Sequence, residues 1–223
     1  MTPLTLNPVE ARVIGSLAEK QLTTPQQYPL TLNALVLACN QASNRDPVVS
    51  FDDATVEIAL ASLKEAGVVR FVHPSHGRSV VRYRQVVDER FGLDERGLSM
   101  LSVLLLRGPQ TAAEMRARTE RAAVFDGVAD AERELQRLSD LPEPLVRRLP
   151  RQPGQKEERW VQLLTGEPAL ETAEAPWVGR PVRTTEPGAA EYAASLRAEV
   201  DALREEVASL RVALEALQSA LGD

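Results

Sequence analysis

Along the first third of the chain, apolar residues recur at helical spacing in short stretches divided by prolines and polar runs. Val9, Val13 and Leu17 fall at i, i+4 and i+8 with Ile14 beside them, giving one buried stripe and predicting a helix over residues 8–20. Asn7, Pro8 and Glu10 supply its start: a cap, a proline at the first helical position and a glutamate able to reach back as in a capping box. Pro25 and Pro29 bar its continuation, and Thr31 is placed to cap a second helix running to Cys39. The β-branched run DPVVSF at 46–51 is a candidate strand. Ser50 and Asp53 then open a third helix whose Val56, Leu60 and Leu63 share a face, and Gly67 ends it. VVRFVH (68–73) and SVVRYRQVV (79–87) around PSHG predict a hairpin.

Helix, helix, helix, hairpin is the order of a winged helix-turn-helix, and it repeats. Asp94 starts a helix carrying Leu98, Leu101 and Leu105, which stops at Gly108-Pro109. Thr111 and Glu114 form a capping box for the next helix. Ala131, Leu135 and Leu138 reproduce the spacing of Val56, Leu60 and Leu63 at a constant offset of 75. PLVRRLP and ERWVQLL flank RQPGQKE as a second hairpin. The expected fold class is therefore mainly α with small β-hairpins (α+β), with two tandem winged-helix domains at 1–87 and 88–164.

Residues 165–188 hold four prolines and three glycines and predict a linker, with Trp177 expected to dock on its own domain. From 189 to 223 the pattern becomes heptad. Ala193, Val200, Val207, Leu214 and Leu221 occupy one seam position, and Leu196, Leu203, Leu210 and Leu217 the other. Valine at a with leucine at d favours two parallel strands, and Glu199 and Glu206 at g face Arg204 and Arg211 at e of a partner. A parallel homodimer is expected through Leu196, Val200, Leu203, Val207, Leu210, Leu214, Leu217 and Leu221; the alternative is an amphipathic helix folded back on its own chain.

Composition is ordinary for a globular protein, at 43% apolar and 26% charged residues. The net charge of −6 argues against a nucleic-acid partner until its distribution is considered: residues 1–87 carry +1, 88–164 carry −1 and 165–223 carry −6. No apolar run approaches the ~18 residues of a membrane span. The N-terminal stretch lacks the basic start and apolar core of a signal peptide, so a cytoplasmic protein with no membrane partner is expected, and the single Cys39 fits that compartment.

The motifs TTPQQYPL and ACNQASNRDPV, with LLLRGPQTAAEMRART and EPLVRRLPRQPGQKEERWVQLLTGE further on, resemble the YceH family of bacterial proteins. The likeness runs over nearly the whole chain. It implies paired winged-helix domains and brings no assigned chemistry. Where that family commonly has a lysine after CNQ, this chain has Ala42, which removes a positive charge from the loop.

Enzyme chemistry finds little support. His73 and His76 are the only histidines, HPSH offers two metal ligands with no obvious third, and Cys39 has no histidine close in sequence. The phosphate-loop, dinucleotide and zinc-protease motifs are absent, so a protein without catalytic residues, metal or cofactors is expected. Nucleic-acid binding draws on the hairpins. Arg70, His73, His76, Arg78, Arg82 and Arg84 lie in a stretch without a carboxylate, and strand alternation puts Arg82 and Arg84 on one face and Val81 and Tyr83 on the other. Arg147, Arg148, Arg151, Lys156 and Arg159 repeat this at the second hairpin, diluted by Glu157 and Glu158. Asn40, Gln41, Asn44 and Arg45 are residue types that read base edges, and equally types that cap helices and form left-handed turns; Arg45 is expected to point outward. The third helices are net acidic, carrying Asp52, Asp53, Glu57 and Glu65 in one and Asp130, Glu132, Glu134 and Asp140 in the other. DNA is thus the expected partner through basic hairpins, and docking of another protein is the alternative.

Overall fold

The structure, a computed structural model, describes residues 4–73, 80–151 and 154–166. The heptad segment, the proline-rich stretch beyond Gly166, His76 and Arg78 lie outside the described residues.

Helix α1 (Pro8–Thr23) begins with the expected reciprocal cap: Asn7 Oδ1 accepts from the Val9 and Glu10 amides, while Glu10 accepts from the Asn7 amide. It runs a turn past the expected end. After a 3-10 turn at Pro25–Gln27 comes a two-residue strand β1 (Leu30–Thr31), and Thr31 caps α2 (Leu32–Cys39). Helix α3 (Asp53–Glu65) is capped by Asp52, whose carboxylate accepts from the Thr55 amide. Gly67 follows it with φ +72°, a conformation that glycine adopts without strain. Strands β2 (Val69–Val72) and β3 (Arg82–Gln85) complete an antiparallel sheet of order β1-β3-β2.

The next residues form a short helix, α4 (Val87–Phe91), which takes up Val87, the last residue of the expected strand. Helix α5 (Glu95–Arg107), capped by Asp94, is followed by α6 (Ala112–Thr119) with the Thr111/Glu114 capping box, then α7 (Val128–Ser139) and a hairpin of β4 (Val146–Leu149) and β5 (Arg159–Gln162). The chain is thus mainly helical with small hairpins, consistent with a winged-helix-like fold.

The halves correspond in detail. Leu30–Thr31 pairs with β3 just before α2, and Gln110 forms a bridge with Trp160 of β5 just before α6. Arg82 Nη1 donates to the Pro29 carbonyl at 2.9 Å, and Arg159 Nη1 donates to the Pro109 carbonyl, also at 2.9 Å. In both halves an arginine of the last strand is tied to the proline two residues before the threonine cap.

Between the halves, α1 packs along α5. A Cβ built on Gly15 would lie 2.9 Å from Leu106 Cγ and 3.0 Å from Leu105 Cβ, so glycine sets how closely these helices approach. The Leu6 amide donates to the Leu164 carbonyl and the Asp46 amide to the Leu106 carbonyl. Buried side chains from both halves form one cluster, including Ile14, Leu17, Leu60, Leu63, Leu101 and Leu135. All described residues fall within the compact unit Met1–Ala173. Among them no helix is long and apolar enough to cross a membrane.

Candidate nucleic-acid interface

Register brings two guanidinium groups together on the first hairpin. Arg70 of β2 is paired directly with Arg84 of β3, and Val72 with Arg82. Like charges opposite each other on a sheet destabilise it. Here Glu89, from α4, receives both: Arg70 at 2.9 Å, and Arg84 in a second ion pair. The two cations share one carboxylate, and Arg82 lies two residues along on the same side, so the face keeps positive charge. Tyr83 alternates to the inside, where its ring meets Phe71 edge-on at 4.9 Å.

The second hairpin is more nearly neutral. Arg148 pairs with Glu158 at 3.1 Å and lies over the Trp160 ring at 4.8 Å. Arg159 reaches Glu114 at 3.1 Å as well as the Pro109 carbonyl, and Arg151 touches the Lys156 carbonyl. Arg147 and Lys156 are exposed, as is His73 on the first hairpin.

The polar loop between α2 and α3 turns inward. Arg45, expected to point outward, is only 4% exposed. Its guanidinium donates to both Glu19 oxygens at 3.1 and 2.6 Å, to the Ala38 carbonyl at 3.0 and 2.8 Å, to the Asn44 carbonyl at 3.0 Å and to Gln41 Oε1 at 3.0 Å. A carboxylate on α1 and the open carbonyls at the end of α2 supply acceptors that outcompete solvent. Asn40 is likewise turned to the chain: its side chain donates to the Phe51 carbonyl and accepts from the Phe51 amide, both at 2.8 Å. That reciprocal pairing, with Arg12 donating to the Cys39 and Pro47 carbonyls, holds 46–51 as an irregular segment rather than the expected strand. Gln41 Oε1 also receives Lys20 at 3.2 Å. Of the four loop residues only Asn44 stays exposed, at φ +58°, where asparagine tolerates the left-handed region.

Arg12 was not foreseen. It is 5% exposed, and burial followed by the neighbouring Arg45 charge lowers its affinity for the proton. The signal for it is a charged residue on the apolar side of α1, between Ala11 and Val13. Glu19 and Glu89 also entered no site expectation, and each organises a cluster of cations. Tyr28 packs against the core; its oxygen accepts from the Gln85 amide at 2.7 Å, and burial raises its pKa. Cys39 is fully buried, and burial pushes its thiol up as well, which keeps it protonated.

The acidic third helices are partly explained by local structure. Asp52 caps α3, and its bonding to Thr55 lowers its pKa. Asp130 holds Arg96 at 2.8 Å and Arg133 at 2.9 Å, and the Arg96 hydrogen bond lowers its pKa. Glu134 is buried against Arg137. Asp53, Glu57 and Glu65 remain exposed on α3 beside Ile58, which is 73% exposed.

Residues 6–155 match the family described as "Protein of unknown function, DUF480". A UPF0502 protein of Solibacter usitatus is 46% identical over 210 residues, covering 94% of this chain and 95% of the relative. One from Pelobacter propionicus is 44% identical over 206 residues, covering 92% and 93%. A third, from Koribacter versatilis, is 50% identical over 161 residues, covering 72% and 74%. With most of its length matched in this way, the chain belongs to the DUF480 (UPF0502) family.

Proposed function

We propose that this protein binds duplex DNA without catalysing a reaction, through two winged-helix units whose basic hairpins lie along the phosphate backbone. The carrying observation is the Arg70/Arg84 pair, opposed in register and sharing the single carboxylate of Glu89. Exposed ion pairs contribute only about 0–1 kcal/mol, so a phosphate can replace Glu89 at little cost while relieving the repulsion between the two guanidiniums. The repeated element order supports a tandem winged-helix architecture, and the heptads at 193–221 support a parallel homodimer in the cytoplasm that presents four hairpins at once. Avidity then offsets weak single contacts, in a regulatory or architectural role tolerant of sequence.

Fluorescence anisotropy with a labelled duplex at low salt tests this. Arg70→Gln with Arg84→Gln is expected to weaken binding and to flatten the plot of log affinity against log salt by about 1–2 units. Glu89→Gln, which frees both arginines, is expected to strengthen it. Binding indifferent to all three changes, or no binding, removes the proposal.

A protein partner is the second reading, favoured by the exposed face of α3. Asp53, Glu57 and Glu65 beside exposed Ile58 would meet phosphates unfavourably if this helix entered a groove, and suit a basic and apolar protein surface instead. Recovery of one stoichiometric, nuclease-resistant protein from native cytoplasm, with no affinity for duplex DNA, would favour it.

A further inference from the structure

On α1, α5, α6 and the turn after α6, Lys20, Arg107, Arg118 and Arg121 converge on a cavity of about 160 Å³ that is also lined by Gln41, Ser43 and Asn44. Among the described residues Glu19 is the only carboxylate in its wall, and that group is already engaged by Arg45 and by Lys20. The side chains of Arg107, Arg118 and Arg121 make no hydrogen bond or ion pair with a described residue. The Nε of Arg107 is buried and has no acceptor among the described residues. Burial, then the charge of Arg118, makes the Arg107 cation harder to maintain; Asp46 and Glu114 act the other way without pairing with it.

A surface built only for stability would neutralise such a cluster. Half-buried Arg107 with exposed Arg118 and Arg121 beside it instead forms a receptor, because each guanidinium offers a planar fork that matches two oxygens of a tetrahedral anion. At ~30 Å³ per water, the cavity holds about five waters, which suits a small ion and is well below the ~300 Å³ or more of sites for larger ligands.

We infer that this cleft is a binding site for a small oxyanion of the phosphate class, held by Lys20, Arg107, Arg118 and Arg121. The inference goes beyond DNA binding by the hairpins and does not depend on it. The donor chemistry is shared by free phosphate and by a phosphate carried on a nucleic-acid backbone, and the test separates these sources.

Inorganic phosphate is titrated into the full chain by calorimetry, with chloride at matched ionic strength as control, and thermal unfolding is followed in parallel. The expected result is saturable binding that chloride does not reproduce, with a rise in Tm. Arg118→Gln, at an exposed position that leaves the core intact, is expected to weaken phosphate binding at least about tenfold, and Arg107→Gln to do the same. Arg70→Gln with Arg84→Gln is expected to leave it unchanged, which keeps failure here distinct from failure of DNA binding. Displacement of phosphate by duplex DNA supports the site and names the backbone as its source; simultaneous binding supports a free anion. No saturable binding, equal binding of chloride, or phosphate affinity untouched by both Arg107→Gln and Arg118→Gln overturns the inference.

Discussion

Replacing Arg45 by methionine tests whether the loop after α2 is structural. The side chain of Arg45 is 0% exposed and its guanidinium satisfies four acceptor groups: the Glu19 carboxylate, the carbonyls of Ala38 and Asn44, and the amide oxygen of Gln41. Methionine keeps the bulk and removes every donor. Breaking one side of a buried ion pair costs about 3–5 kcal/mol, because the remaining charge stays desolvated. The low end applies here: Glu19 is 17% exposed and has Lys20 at 3.8 Å to fall back on. A loss of about 3 kcal/mol corresponds to a fall in Tm of roughly 6–12 °C for a unit of this size. Urea unfolding followed by circular dichroism measures it, and Glu19→Gln alone and with Arg45→Met closes a cycle in which the double variant should be less destabilised than the sum of the singles. Arg45→Lys should not rescue, since an ammonium cannot span Glu19 and the Ala38 carbonyl together. A loss under about 1 kcal/mol for Arg45→Met would refute the assignment and return Arg45 to the set of candidate base-reading residues.

Gly15→Ala should destabilise by about 1 kcal/mol net in the same unfolding assay, since overpacking against Leu106 at about 1–3 kcal/mol exceeds the ~1 kcal/mol of helix propensity returned; a gain would mean that α5 yields. Tyr28→Phe leaves the buried Gln85 amide without its acceptor and should cost about 1–3 kcal/mol of unfolding free energy. The Asp130 carboxyl is held below its ordinary value by Arg96, so its stabilisation is present above the unfolded pKa and lost as pH falls through the folded one; Tm of Asp130→Asn should trail the parent at pH 7 and converge with it in acid. The Cys39 thiol, pushed up by burial, should resist a chromogenic disulfide reagent at pH 8 until denaturant is added.

What the sequence disclosed was mostly local. Asn7 with Glu10 and Thr111 with Glu114 are capping boxes in which partner and partner lie three residues apart, so the chain declares them itself. The alternation of Arg82, Tyr83 and Arg84 is equally local, because a strand's period is two. Arg45 failed this logic: its carboxylate partner is 26 residues away, and no nearby pattern announces that guanidinium and carboxylate will meet in the interior. DPVVSF was misread since β-branching reports preference, whereas the outcome was decided by the amide of Asn40 occupying the backbone of Phe51. β1 is too short to carry a pattern, and the sharing of Glu89 by two arginines depends on register across the hairpin and on α4. The cationic cleft joins α1 to α5 and α6, so no window of consecutive residues contains it.

The arginine that ties each hairpin to a proline carbonyl has a mechanical consequence. Pro29 and Pro109 sit at the threshold of α2 and α6, so a strand tugged sideways by whatever grips it drags on the first turn of the neighbouring helix through one guanidinium. Each half therefore carries a short lever from rim to interior, and the amides of Leu30 and Gln110 are where a tug at the rim would first be felt.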